Sequence, residues 1–227
     1  MGLLIGISII LLWLVHLVYA LTFAEVSVNS PMIVVHIAVQ TYLYTGLFIT
    51  AHDAMHGLVS GNSLVNNGVG GTATWLFAAL SFSRLSRKHQ LHHQFPGEEG
   101  DPDFCVYSQN FWLWWFSFLK NYVKWWQILI LAVVFNILQI WVNQFNLVLF
   151  WIVPSVLSTF QLFYFGTYRP HQLPHTREML PHNARSQKGP HVWAMLSCYF
   201  FGYHFEHHES PQTPWWKLYQ LKTINHD

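Results

Sequence analysis

The chain has 227 residues, of which 52% are hydrophobic, 18% aromatic and only 9% charged, with a formal net charge of +1. Soluble domains carry about 25% charged residues, so this composition excludes a disordered chain or a basic nucleic-acid binder and argues against a water-soluble monomer. Histidine is unusually frequent, because 15 histidines outnumber the 11 lysines and arginines together. We therefore expect a membrane protein with a metal site and no nucleic-acid partner.

Two apolar runs near the start of the chain are long enough to cross a bilayer. Leu3 to Phe23 and Met32 to Thr50 each approach the roughly 20 residues that a transmembrane helix needs. Polar residues and a proline between them predict a turn over Ala24 to Pro31. A secretory signal peptide is the alternative for the first run. It fits poorly, because no basic segment precedes the run and no clear small-residue cleavage site follows it.

The segment from Gly57 to Lys124 is more polar and contains two short apolar runs. Trp75 to Phe82 is too short to span a bilayer, and Phe111 to Leu119 contains three tryptophans. Indole rings favour the headgroup level of a membrane. Both runs therefore predict short interfacial or re-entrant helices.

The uncharged block from Trp125 to Tyr168 is too long for one span. Polar residues near Asn143 divide it into two helices of about 20 residues, and Pro154 predicts a kink in the second. The predicted fold is an all-α integral membrane protein with four transmembrane helices in two pairs, forming a single domain over residues 1–227. All 11 lysines and arginines lie outside the two proposed outer turns, so the positive-inside rule places both termini and the intervening segments in the cytoplasm.

Three histidine clusters supply candidate metal ligands. Residues three or four apart share a helix face, so each cluster can direct two or three imidazoles at one point. The predicted topology brings all three to one end of the helix bundle, which disfavours their interpretation as unrelated surface histidines. The clusters are an HxxxH at His52 and His56, an HxxHH at His89, His92 and His93, and an HxxHH at His204, His207 and His208.

Eight clustered histidines exceed the needs of a single metal ion. Ligation by histidine alone disfavours magnesium and calcium, which prefer oxygen, and favours a redox-active pair, for which we expect iron. His171 directly follows the fourth span and is the best candidate for a ninth ligand. Three more histidines in the following segment are expected to lie in solvated loops. They are His175, His182 and His191.

Ligating imidazoles usually donate their second N–H to a carboxylate or a carbonyl. Asp53 and Glu206 lie inside the clusters and are candidates for this role, together with Asn183. The sequence leaves open whether His182 or Asn183 reaches the metal ions.

The order and placement of the three clusters resemble the membrane fatty-acid desaturase and hydroxylase superfamily. Flanking motifs are similar, more narrowly, to those of the bacterial-type β-carotene ketolases, from about the second span to the C-terminus. In the first half of the chain the matching motifs are HDAMHG from His52, FPG from Phe95 and DPDF from Asp101. In the second half they are FGTY from Phe165 with Pro170 and His171, HNARS from His182, and HFEHH from His204 with Pro211 and Pro214-Trp215-Trp216. The family often continues with a leucine and then a proline, whereas here Leu218 is followed by Tyr219, a departure that leaves the histidine motifs intact.

This resemblance implies an oxygen-dependent di-iron oxidoreductase of carotenoid biosynthesis. It implies two iron ions, O2 as co-substrate, an external electron donor such as a ferredoxin, and His171 as the ninth ligand. The implied reaction hydroxylates C4 of a β-ionone ring twice and then loses water, which takes β-carotene to echinenone and on to canthaxanthin. An apolar channel from the lipid to the metal site is expected for so apolar a substrate.

Other functions remain as alternatives. A carotenoid ring hydroxylase, or a fatty acyl desaturase or hydroxylase, would share the superfamily's histidine motifs. A metal transporter is disfavoured, because transporters place ionisable groups near mid-membrane and these clusters lie at the bundle end.

Overall fold

The computed structural model describes residues 1–23 and 30–224. Within these ranges the regular structure is helical, with one isolated β-bridge between Ser186 and Tyr203. The predicted all-α fold is therefore confirmed for the described residues, while most of the predicted turn over Ala24 to Pro31 lies outside them. The helices are α1 (Gly2–Thr22), α2 (Met32–Met55), α3 (Ser63–Ala78), α4 (Phe82–Gln94), α5 (Phe111–Tyr122), α6 (Trp125–Leu138), α7 (Gln144–His171), α8 (His191–Cys198), α9 (His204–Glu209) and α10 (Leu218–Ile224).

Helices α1 and α2 form the first two candidate spans, as predicted. Apolar side chains such as Leu4, Leu11 and Val15 of α1 are exposed, which suits a helix in contact with lipid. Helix α2 continues past the predicted end at Thr50 to Met55, so it carries His52 directly.

The predicted short apolar run over Trp75 to Phe82 is divided between helices α3 and α4. The run over Trp75 to Phe82 is not a separate segment but the end of α3, a turn with Ala79 in the left-handed region (φ 52°), and the first residue of α4. Helix α3 lies against α2 because Gly70 has no side chain, and a Cβ there would be 2.7 Å from the Cβ of Ala54.

The predicted third span is shorter than expected. Helix α6 has 14 residues, and a helix of that length covers only about 21 Å of a hydrocarbon core roughly 30 Å thick. It is preceded by α5 at an angle of 86°. The described residues thus contain three helices long and apolar enough to span a membrane, or four if the bent α5–α6 pair counts as one span.

Helix α7 connects the two ends of the bundle over 28 residues. At its start, the Asn146 amide donates to the backbone carbonyl of Leu21 at 3.2 Å, beside the end of α1. Its last residue, His171, lies among the clustered histidines. Two π-helical segments interrupt it, Val148–Ile152 just before Pro154 and Tyr164–Tyr168 just before the histidine end. The first accommodates a proline that has no N–H to donate.

Candidate metal centre

The nine histidines predicted as ligands come together where α2, α4, α7 and α9 meet. In each of two groups, four histidine nitrogens lie within 4.8 Å of one another. The first group is His52, His56, His89 and His207, and the second is His92, His171, His204 and His208. The remaining histidine, His93, adjoins the first group, with its Nε2 3.2 Å from the His89 Nε2 and 3.0 Å from the His207 Nε2.

Helical geometry explains why each HxxHH motif serves both groups. His89 and His93 are four residues apart on α4 and point to the same side, while His92 is rotated by about 100° from His93. The same spacing on α9 directs His204 and His208 to the second group and His207 to the first. Each of these two helices therefore bridges the groups and holds them side by side.

His92 is oriented by a buried carboxylate. Its Nδ1 lies 2.9 Å from the Asp101 Oδ2 and donates to it, because a carboxylate only accepts. Asp101 in turn accepts from the backbone N–H groups of Gly97 and Asp103, each at 2.8 Å. Burial alone would lower the pKa of His92, but the charge of Asp101, its hydrogen bond to His92 and the charge of Asp103 together outweigh burial and raise this pKa. His92 lowers the pKa of Asp101, against the effect of burial.

His171 is oriented by a backbone carbonyl. Its Nδ1 donates to the carbonyl oxygen of Asn183 at 2.9 Å. The Asn183 side chain donates to the Pro96 carbonyl at 3.1 Å and to the Glu98 carboxylate at 3.2 Å, which fixes this segment. The Nε2 of His171 is then a lone-pair acceptor, and it is buried with no hydrogen-bond partner among the described residues.

The chemistry of these donors fits a bound metal ion. The Nε2 atoms of His92, His204 and His208 lie 3.1–3.3 Å apart. The His92 proton is on Nδ1, so its Nε2 can only accept a hydrogen bond. Hydrogen bonds among these three nitrogens therefore cannot give every one of them a partner. In the first group, the Nε2 atoms of His56 and His89 are 2.7 Å apart. A cation bound within each group would satisfy converging lone pairs that otherwise face one another.

The protonation states support the same conclusion. Burial lowers the pKa of His56 to about 4. Burial, with the nearby His56 and His92, lowers the pKa of His93 to about 2. Both imidazoles are neutral near pH 7, which is the form that binds metal ions.

The other polar residues singled out from the sequence lie around these two groups. Asp53 Oδ2 accepts from the Trp215 backbone N–H at 3.4 Å, and its Oδ1 is 3.8 Å from the His52 Nδ1. The Glu206 carboxylate lies 3.7 Å from the Lys222 ammonium. His182 interacts with Glu209, and its ring centroid is 5.6 Å from that of His208, outside both groups.

Sequence reasoning missed the role of Asp101. It lies in the loop after α4, and a turn through Gly97 (φ 69°) and Gly100 (φ 105°) brings its carboxylate back to His92. The only signal available was the DPD motif after two glycines, which does not indicate where the loop folds.

An apolar cavity adjoins both histidine groups. His52 and His89 of the first group and His92 and His204 of the second border it. Its apolar walls are typical of a pocket for a small apolar ligand or for one end of a larger one. The apolar wall includes Phe48, Phe77, Leu85, Phe118, Leu162 and Phe201.

The chain is similar in sequence to one known protein family and to several of its members. The model of the fatty acid desaturase family matches residues 29–129 and 117–227. A β-carotene ketolase of Paracoccus sp. (strain PC1) is 38% identical over 214 residues, which cover 93% of this chain and 88% of the relative. A β-carotene ketolase of Paracoccus sp. (strain N81106 / MBIC 01143) is 36% identical, covering 98% of this chain and 92% of the relative.

A zeaxanthin 4-ketolase of Chlamydomonas reinhardtii is 38% identical over 94% of this chain, which corresponds to 49% of that longer protein. No solved structure is significantly similar to the chain.

Proposed function

The chain belongs to the fatty acid desaturase family, and we propose that it is a β-carotene ketolase, an oxidoreductase that converts the C4 methylene of a β-ionone ring to a ketone. One structural observation carries this proposal. The apolar cavity is bordered by histidines of both groups, so an end ring inserted there lies beside both candidate metal positions. Two relatives named as β-carotene ketolases match this chain over 88% and 92% of their own length, which supports the choice of substrate.

The nine histidines would hold two iron ions, with His52, His56, His89, His93 and His207 around one and the other four around its neighbour. When bound, an iron pair supplies the activation of O2, with electrons delivered by an external donor such as a ferredoxin. Asp101 and the Asn183 carbonyl hold the tautomers and orientations of His92 and His171. The phenylalanine and leucine side chains of the cavity exclude water and orient the ring.

The overall reaction proposed is two successive hydroxylations of C4, followed by loss of water from the resulting gem-diol. Applied to each ring in turn, it converts β-carotene to echinenone and then to canthaxanthin. Each hydroxylation consumes O2, two electrons and two protons and releases one water, and the final dehydration needs neither O2 nor electrons.

The proposed setting is a single membrane-embedded domain over residues 1–227, with the metal centre and both termini in the cytoplasm. The distribution of lysine and arginine supports this orientation. The carotenoid would arrive from the lipid, and the electron-transfer protein would approach from the cytoplasm.

Pigment analysis in cells that make β-carotene tests the proposal. Expression of the chain should convert β-carotene to pigments with a keto group on one ring and then on both rings. A matched culture expressing His92→Ala controls for the host's own enzymes. Zeaxanthin as the product would instead indicate a ring hydroxylase, and unchanged β-carotene would contradict both functions.

A further inference from the structure

Most polar side chains that border the apolar cavity already have a partner or a ligand role. The four bordering histidines belong to the two metal groups. The Tyr122 hydroxyl donates to the Asp103 carboxylate. The Thr159 hydroxyl donates to the Val156 carbonyl at 2.7 Å. One bordering hydroxyl is left, that of Thr167.

The Thr167 hydroxyl has no hydrogen-bond partner among the described residues, although the residue is only 4% exposed. The other serine and threonine residues of α7 each donate to the carbonyl three residues earlier. They are Ser155, Ser158 and Thr159. A hydroxyl that has no partner within the protein can form a hydrogen bond with a polar atom of a ligand in the cavity.

Thr167 lies at the histidine end of α7 and borders the cavity that adjoins the metal centre. Thr167 lies in the π-helical segment Tyr164–Tyr168, and such segments occur often at functional sites. It precedes His171 by four residues, so the two share one side of α7. His92 and His204, which belong with His171 to the second group, border the cavity together with Thr167.

We propose that Thr167 is a positioning residue that hydrogen-bonds the oxygen on C4 of the half-oxidised ring. This inference rests on the proposed ketolase function. The β-carotene ring has no polar atom, so the hydrogen bond forms only after the first hydroxylation. It then retains the 4-hydroxy ring in the cavity for the second hydroxylation at the same carbon, rather than releasing it as the alcohol.

The test compares products from three variants in cells that make β-carotene. Thr167→Val removes the hydroxyl and keeps the shape of the side chain, and Thr167→Ser keeps the hydroxyl. Thr41→Val is the control, because it removes a hydroxyl that lies outside the cavity wall and already donates to the Ile37 carbonyl. One hydrogen bond corresponds to a factor of about three to ten in retention. The ratio of 4-hydroxy to 4-keto pigment should rise by about that factor in Thr167→Val and stay at the wild-type value in Thr167→Ser and Thr41→Val.

A binding measurement on the purified proteins supplies a readout that does not require turnover. Wild type should bind 4-hydroxy-β-carotene more tightly than β-carotene, and Thr167→Val should lose about three- to tenfold of that preference. An unchanged product ratio and an unchanged binding preference in Thr167→Val, beside a wild type that makes ketone, would overturn the inference alone. A wild type that makes no ketone would overturn the proposed function and the inference with it.

Discussion

At the scale of single residues, the centre depends on how each imidazole is held as much as on where it lies. Asp101 accepts from His92 with one edge of its carboxylate and from two backbone N–H groups as well. It therefore fixes the His92 tautomer and increases the basicity of the nitrogen that faces the second group.

Asp101→Asn should lower iron affinity by about 10- to 100-fold, because the amide keeps the shape of the side chain and loses its charge. Iron content after dialysis against a graded chelator measures the effect. Glu99→Gln is the matched control, since Glu99 is an exposed acid of the same loop. Equal iron retention in the two variants would show that Asp101 does not act on the metal through His92.

The histidines divide into those inside the two groups and those beside them, and this division can be tested directly. His92→Ala should abolish ketone formation while the protein still inserts into the membrane, because it removes a nitrogen from the centre of the second group. His182→Ala should keep ketone formation, because His182 interacts with Glu209 outside both groups. Pigment analysis normalised to the amount of membrane-inserted protein measures both. Loss of activity in His182→Ala would place that histidine among the ligands.

At the scale of elements, the end of α7 and the loop before α9 meet at one tight contact. A Cβ on Gly166 would lie 2.0 Å from the Phe201 ring. Phe201 borders the cavity, and its ring packs edge-on against His52 and His204. The absence of a side chain at Gly166 therefore leaves room for the Phe201 ring, which forms the part of the cavity wall that contacts both histidine groups.

Gly166→Ala should destabilise the protein by about 1–3 kcal/mol and reduce ketone formation, because the added methyl displaces Phe201. Thermal unfolding of the purified protein and pigment analysis measure the two effects. Gly71→Ala is the control, since a Cβ on Gly71 meets no atom within 4 Å. The double variant Gly166→Ala with Phe201→Leu should recover part of the lost stability, and failure to do so would locate the strain elsewhere.

The elements also show what sequence reasoning can and cannot predict. Helices α1 and α2 follow from apolar composition alone, because length and low charge suffice to identify a span. The shortened α6 and its 86° bend from α5 do not follow, because the apolar run continues through the turn after Leu138 and hydropathy does not register where a helix ends. The histidines are recognisable from their spacing, whereas Asp101 and the Asn183 carbonyl reach them through loops whose conformation no local pattern determines.

At the scale of the whole molecule, the metal ions would also contribute to stability. Nine mostly buried imidazoles from four helices meet at one end of the bundle, and without a cation their lone pairs face one another. Purified protein should contain about two irons per chain. Removal of the metal by a chelator should lower the unfolding temperature, and ferrous iron should restore it, because a ligand that binds only the folded state stabilises it. One zinc ion per chain would contradict a redox centre.

The meeting of the histidine clusters also restricts how the chain crosses the membrane. The clusters on α4 and α9 contact each other, so the chain between them crosses an even number of times. Helix α7 is long enough for one crossing, so the proposed topology requires the bent α5–α6 pair to supply the other. The turn at Asn143 then lies at the end opposite the histidines, in agreement with the contact of Asn146 with the end of α1.

Labelling of single cysteines with a membrane-impermeant thiol reagent tests this topology and the proposed orientation together. Asn143→Cys should react in intact cells, and Glu99→Cys should react only after the membrane is opened, since both positions are exposed and lie at opposite ends of the bundle. The native Cys105 and Cys198 are buried and give the background signal. Reversed labelling of the two positions would mean that the metal centre faces outward. Protection of both positions in intact cells would mean that the α5–α6 pair does not cross the membrane.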